Sequence, residues 1–135
     1  MSRTVDENAD STANKEESRS DDVQAVVRSV LNGLEAPTIV VDTEGQITHI
    51  NSQATELYGT TEASAMGKPP ADLQAAGSEA SDIVSEALRL GEDIQQREET
   101  ITAGASQTPV ERTVTILYDD DGDQSGAMLV EKDIT

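Results

Sequence analysis

The clearest pattern in the chain is a pair of short apolar segments joined by a polar turn. Residues 39–41 are Ile-Val-Val, residues 42–46 are Asp-Thr-Glu-Gly-Gln, and residues 47–50 begin and end with Ile. Short apolar runs on either side of Asp and Gly indicate two β-strands and a tight turn. Asn51 follows at once, and because Asn side chains accept hydrogen bonds from a first helical turn, it predicts a helix start.

Two short helices are expected after Asn51. The first covers residues 52–58, places Ala54, Leu57 and Tyr58 on one side and stops at Gly59. The second starts at Thr60 or Thr61 and breaks at Gly67 and the prolines that follow it. Residues 71–80 are rich in Ala, Gly and Ser, and they are expected to form a mobile loop.

A longer helix is expected over residues 81–91, with Ser78 or Ser81 as its cap and Gly91 as its end. Its apolar residues recur at helical spacing and are expected to face the core. They are Ile83, Val84, Ala87, Leu88 and Leu90.

Three further strands are expected. Residues 94–102 are polar and charged, which is typical of an exposed edge strand. Residues 110–118 and 126–135 alternate apolar and polar positions, and an Asp-rich hairpin loop lies between them. The alternation predicts that Val114, Ile116 and Tyr118 share one face, and that Met128, Val130 and Ile134 share another.

The N-terminal part of the chain divides at residue 22. Residues 1–21 hold almost no large aliphatic side chain, so they are expected to be a disordered leader. Residues 22–36 carry one apolar stripe at helical spacing and precede Pro37, which predicts an amphipathic helix. The stripe consists of Val23, Val26, Val27, Val30, Leu31 and Leu34.

Over residues 31–135 this arrangement resembles the PAS (Per-Arnt-Sim) sensor domains, of the kind found in haloarchaeal sensor histidine kinases and transducers. The similarity depends on the block DTEGQITHIN at 42–51, on Gly67-Lys68-Pro69 and on the ending Asp133-Ile134-Thr135. It implies an α+β fold for residues 37–135. The expected core is a five-stranded antiparallel sheet of order 2-1-5-4-3, with short helices on one face.

The same resemblance implies a sensory or relay module that passes a change in ligand occupancy or dimer packing to a C-terminal effector, such as a kinase or transducer. The expected signal output is at Lys132, Asp133, Ile134 and Thr135. A homodimer would pair through Val23, Val26, Val27, Val30 and Leu34, although the stripe could equally cover its own domain. The interior would be a packed core or a pocket for a small apolar metabolite, lined by Ile39, Val41, Ile50, Leu57, Tyr58, Met66, Val84, Leu88, Val114, Ile116, Met128 and Val130.

The amino-acid composition limits the classes of partner that this chain is expected to bind. The 135 residues include 27 Asp and Glu against 9 Lys and Arg, a formal charge of -18. Because such a chain repels phosphates, we expect no nucleic-acid partner. Such an acidic, Lys-poor chain resembles proteins of extreme halophiles and predicts a fold that requires high salt, which screens the repulsion. Cys is absent, and the apolar runs are far too short to cross a membrane, so we expect a cytoplasmic module without membrane contact.

Known PAS cofactors fit this chain poorly. Flavin-adduct and cinnamoyl-binding members use a Cys, and haem-binding members usually take a His from the long helix, where residues 81–91 have none. Non-covalent flavin sites usually use aromatic side chains, and this chain has Tyr58 and Tyr118 without Trp or Phe. We therefore expect no cofactor.

Catalytic and metal sites are also weakly indicated. Aligning Gly122 with the glycine of an EF-hand loop puts Leu117 and Met128 at ligand positions, so the Asp run predicts a solvated loop and no metal site. We expect no enzymatic activity. The alternatives are a small acidic ligand-binding enzyme, with His49 beside Asp42 or Glu44 as its acid/base pair, and a ligand-free dimerisation scaffold.

Overall fold

A computed structural model describes residues 35–75, 78 and 80–135. The predicted leader at 1–21 and most of the predicted helix at 22–36 lie outside the described residues.

The core of the fold is one five-stranded antiparallel sheet of order β2-β1-β5-β4-β3. The predicted fold class and strand order are therefore confirmed. Strands β1, β5 and β4 occupy the middle, while β2 and β3 form the edges. The strands are β1 (Thr38–Val41), β2 (Ile47–Ile50), β3 (Ile94–Ala103), β4 (Ser106–Tyr118) and β5 (Gln124–Asp133).

Short helices connect β2 to β3: α1 (Ser52–Tyr58), α2 (Glu62–Ala65), a 3₁₀ turn (Pro70–Leu73) and α3 (Ile83–Leu90). Asn51 caps α1 as predicted, since its side chain accepts a hydrogen bond from Ala54 N–H at 3.0 Å. The cap of α3 is Asp82, so the prediction of a serine cap is wrong. Among the described residues, none of the helices is long and apolar enough to span a membrane.

Two tight turns have the same geometry. In the β1–β2 turn, the Asp42 Oδ1 accepts hydrogen bonds from the N–H groups of Glu44 (2.9 Å) and Gln46 (3.0 Å). In the β4–β5 turn, the Asp119 Oδ1 accepts from the second and fourth residues after it in the same way. Because an Asp side chain can replace backbone partners in a turn, both hairpins are specified locally.

Hydrogen bonds outside the main ladder cover part of both sheet edges. Ile47 N–H donates to the Lys68 carbonyl at 2.8 Å, and Gly67 N–H donates to the Ile47 carbonyl at 2.9 Å. Gly67 and Lys68, where the second short helix was expected to break, thus shield the β2 edge. At the opposite edge of the sheet, the Ala75 N–H donates to the Thr102 carbonyl of β3 at 2.7 Å. Both contacts reduce the number of free backbone groups at the edges.

The hydrophobic core lies between the helices and one face of the sheet, which we call the inward face. Leu129 pairs with Ile39 on one side and with Val114 on the other, and all three are buried. Since side chains alternate along a strand, Met128 and Val130 lie on the opposite face. The prediction that they face the core is wrong, because the phase of β5 is set by its two neighbouring strands.

A close backbone contact explains why position 126 of β5 is a glycine. A Cβ atom at Gly126 would lie 2.1 Å from the carbonyl oxygen of Val41, and the φ angle of this glycine is +157°. No side chain fits at that distance, so glycine is required where β5 passes the end of β1.

Candidate functional site

Two charged side chains lie on the inward face, at directly opposed positions of β4 and β5. Arg112 and Glu131 are each 1% exposed, although charged residues are rarely buried so completely. The Arg112 Nε donates to the Glu131 Oε2 at 3.1 Å. The pair continues the row of inward positions that contains Val110, Val114 and Leu129.

The second oxygen of Glu131 is bonded from the helical layer. Tyr58, the last residue of α1, is 5% exposed, and its hydroxyl donates to the Glu131 Oε1. Gly59 ends α1 in the left-handed conformation, which fixes the position of the preceding tyrosine. Glu131 therefore joins β5 to α1 and to β4 through separate oxygens.

A second carboxylate contacts the other side of Arg112. The Arg112 Nη1 donates to the Glu99 Oε1 at 3.2 Å and to the Ser81 carbonyl at 2.9 Å. Glu99 also accepts from the N–H and hydroxyl of Ser81, both at 2.8 Å. We call Tyr58, Ser81, Glu99, Arg112 and Glu131 the Arg112 cluster.

An ion pair next to the cluster connects β3 to α3. The Arg97 Nη2 lies 2.6 Å from the Glu86 Oε2, with both side chains about a third exposed to solvent. Hydrogen bonding to Arg97 lowers the pKa of Glu86, and the same bond raises the pKa of Arg97. At this exposure the pair contributes little to stability.

Burial governs protonation inside the cluster. Desolvation raises the pKa of Glu131 above its ordinary value, while the positive charge of Arg112 and the hydrogen bond from Tyr58 oppose the shift. Burial and the neighbouring Glu131 charge also raise the pKa of Tyr58, which stays neutral at ordinary pH. Arg112 and Tyr58 thus stabilise the ionised form of Glu131, which opposes the free-energy cost of removing its charge from water.

The structure brings most of the predicted pocket residues together. Leu57 and Leu88 are partly buried against the core. Met66 is 41% exposed and lies outside it, and Met128 and Val130 lie on the other face of the sheet. The remaining candidates are buried in the core: Ile39, Val41, Ile50, Tyr58, Val84, Val114 and Ile116. Their role in binding a ligand stays a prediction.

The predicted output residues follow the cluster directly. Lys132 and Asp133 end β5, and the Ile134 N–H donates to the Pro109 carbonyl at 3.0 Å. The Asp133 Oδ1 accepts from the Thr135 N–H at 2.9 Å and from its hydroxyl at 2.6 Å, which lowers the pKa of Asp133. The predicted dimerisation residues, Val23, Val26, Val27, Val30 and Leu34, lie outside the described residues.

Sequence reasoning missed the cluster. Arg112 alternates in phase with the buried Val114, but the expected pattern of residues 110–118 depends on the apolar residues Val114, Ile116 and Tyr118 alone. The expected pattern of β5 puts Met128 and Val130 inside, which leaves Glu131 on the other face, and the charges of residues 94–102 indicate only an exposed edge strand. The site could have been identified from an Arg and a Glu that lie on neighbouring strands and alternate in phase with the buried residues of those strands.

His49 and the Asp run occupy other parts of the fold. The Thr48 hydroxyl lies 3.1 Å from the Nδ1 of His49, and the Asp42 Oδ1 accepts hydrogen bonds within the β1–β2 turn. The acid/base pair of the enzyme alternative stays a prediction. The carboxylates of Asp119, Asp121 and Asp123 converge in the exposed β4–β5 turn. Asp119 is already engaged in holding that turn.

Solved structures share this fold at low sequence identity. The PAS domain of an HTR-like protein from Haloarcula marismortui is 16% identical, with a TM-score of 0.64 and coverage of 90% of this chain and 99% of that chain. The PAS domain of Bordetella pertussis BvgS is 20% identical, with a TM-score of 0.63 and coverage of 83% and 85%. A chain of the E. coli DhaR(N)–DhaL complex is 13% identical, with a TM-score of 0.71, and 90% of this chain spans only 40% of its length.

No curated protein sequence matches this chain. A family model described as the PAS fold, by contrast, matches residues 31–135. This match covers the whole sheet, the helices and the Arg112 cluster. The resemblance drawn from the β1–β2 turn and the Asp-Ile-Thr ending is confirmed, and the chain belongs to the PAS family.

Proposed function

We propose that this chain is a sensory or relay module of a signalling protein. Ligand occupancy of the core or packing against a second copy would be the input, and the end of β5 would be the output to an effector. Family membership supports the proposal, as does the likeness to PAS domains of BvgS and of an HTR-like protein.

The observation that carries the proposal is the connection of α1 to the output strand through Glu131. The Tyr58 hydroxyl bonds this carboxylate two residues before Asp133, and Arg112 bonds it from β4. Because both oxygens of one buried carboxylate are engaged, a shift of α1 changes the forces on β5 near its end. Coupling of this kind biases a pre-existing equilibrium at the output.

Amide exchange of the Tyr58→Phe variant tests the coupling. The variant keeps the ring and removes the hydroxyl, so it weakens the hold of α1 on β5 without creating a large cavity. The readouts are the amides of Glu131 and Ile134, which donate to the Pro37 carbonyl at 2.9 Å and to the Pro109 carbonyl at 3.0 Å. We expect both to exchange about tenfold faster or more, since a hydrogen bond to a charged group is lost.

Tyr118→Phe is the matched control, because Tyr118 is 60% exposed and lies at the far end of β4. This variant should leave both amides unchanged. Equal exchange at Glu131 and Ile134 in wild type and Tyr58→Phe would contradict the proposed coupling.

We further propose that the domain works as a homodimer through the apolar stripe of residues 22–36. Val27→Glu places a charge in the stripe and should convert the dimer to a monomer in sedimentation equilibrium at high salt. Ser29→Glu adds the same charge off the stripe and should remain dimeric. The same molecular mass in sedimentation equilibrium for both variants would contradict pairing through this segment.

A further inference from the structure

The Arg112 cluster contains two carboxylates and one guanidinium, of which Arg112 and Glu131 are buried and Glu99 is partly buried. Arg112 on β4 is flanked by Glu131 on β5 and Glu99 on β3, while Tyr58 on α1 and Ser81 before α3 contribute neutral groups. The other nearby cation, Arg97 on β3, forms an ion pair with Glu86 of α3 and also donates a hydrogen bond to the Ser81 hydroxyl at 3.3 Å. Arg112 is therefore the guanidinium that is hydrogen-bonded to both carboxylates of the cluster.

Of these two carboxylates, Glu131 is the one whose charge is less well solvated. Its side chain is 1% exposed, compared with 15% for Glu99, and Glu99 has additional hydrogen bonds from Ser81. Desolvation accordingly raises the pKa of Glu131. A single proton taken up by the cluster would settle on Glu131 and remove the imbalance.

We propose that Glu131 is a proton-binding site through which this domain senses pH, the closed arrangement of β5 against α1 and β4 being stabilised when the carboxylate is protonated. The inference rests on the proposed function, because the output is the same end of β5. The proton comes from water and forms one O–H bond on the carboxyl group. No other covalent bond changes.

The direction of the pH effect follows from the linkage between proton binding and opening of the end of β5. If the end of β5 opens, Glu131 reaches water and its pKa returns to about 4.3. In the closed form its pKa is raised, so the closed form binds the proton more tightly and gains stability as pH falls through that raised value. The stabilising contribution is complete below about pH 4.3 and is lost as pH rises through the closed-state pKa. Glu86 and Asp133 have lowered pKa values, and their contributions are lost only at more acidic pH.

Amide exchange of the full chain between pH 8 and 4 tests the proposal, at constant high salt and corrected for intrinsic exchange rates, because the effect lies between about pH 4.3 and the raised closed-state pKa of Glu131. Protection of the Ile134 amide should rise as pH falls, with a slope of up to about tenfold per pH unit. Glu131→Gln, a neutral substitute of the same shape, should have high protection at pH 8 and lose the slope. In Tyr58→Phe the midpoint should move to higher pH, because the hydroxyl stabilises the ionised form.

Surface charge is a competing explanation for a rise in protection as pH falls, because protonation of exposed carboxylates also relieves repulsion in so acidic a chain. Glu111→Gln controls for it, because Glu111 is next to Arg112 in the chain but points to the opposite face and pairs with Lys132. It should keep the wild-type slope. A flat profile in wild type, or the same slope in Glu131→Gln, would overturn the proton site. If Tyr58→Phe still speeds exchange in that case, the proposed coupling function stands, whereas loss of both effects would overturn both.

Discussion

The inward face of β4 and β5 has two parts that are equally buried and differently stabilised. Toward the Asp119 turn, Val114 pairs with Leu129 and Ile116 pairs with Ala127 against α3. Toward the C-terminal end of β5, Arg112 pairs with Glu131. The apolar part is stabilised by area removed from water, whereas the charged part depends on each partner being present.

This difference explains why the charged part suits a sensory role. An apolar contact changes gradually when neighbouring atoms shift, because dispersion and burial are the sum of many small contributions. A buried charge responds strongly to the loss of one partner or the gain of one proton. The most sensitive part of the core therefore lies immediately before the predicted output residues.

The largest expected effect comes from removing the guanidinium while keeping the length of the side chain. Arg112→Met leaves Glu131 and Glu99 without their cation and should lower the free energy of unfolding by about 3–5 kcal/mol at pH 7. Much of this loss should be recovered toward pH 5, since the pKa of Glu131 rises further without Arg112 and the carboxyl group becomes neutral. Urea unfolding at constant high salt measures both quantities.

Leu129→Ala is the matched change in the apolar part, one inward position away on β5. It should cost about 2–5 kcal/mol through the cavity it leaves. Its cost should stay the same between pH 7 and 5, because no titrating group loses a partner. If the two variants shared one pH profile, the distinction between the two parts of the face would be wrong.

Local signals made much of the fold predictable. Asp42 and Asp119 specify their turns with their own side chains, Asn51 caps α1, and Gly59 ends it. The charged β3 is an edge strand as its composition indicates. In each case residues within a few positions of each other determine the structure, so one sequence is enough to identify it.

The candidate site needed information from distant residues. Met128 and Val130 are more apolar than Glu131, so a rule that places apolar residues inside assigns β5 the wrong face. The correct phase comes from the pairing of Leu129 with Ile39 and Val114, far apart in sequence. Burial of Glu131 is tolerated because Tyr58 and Arg112 meet it there, which no local pattern reveals.

Coupling between Tyr58 and Glu131 is tested most directly by a double-mutant cycle on the exchange of the Ile134 amide at pH 8. Tyr58→Phe in the otherwise native chain should lower the local opening free energy by about 1.5–3 kcal/mol, the smallest of these effects, because it removes a hydrogen bond to an ionised group. In the Glu131→Gln background the same substitution should cost about 1 kcal/mol or less, because the acceptor is neutral. Equal costs in the two backgrounds would show that α1 and the end of β5 are independent, and would contradict a relay through this carboxylate.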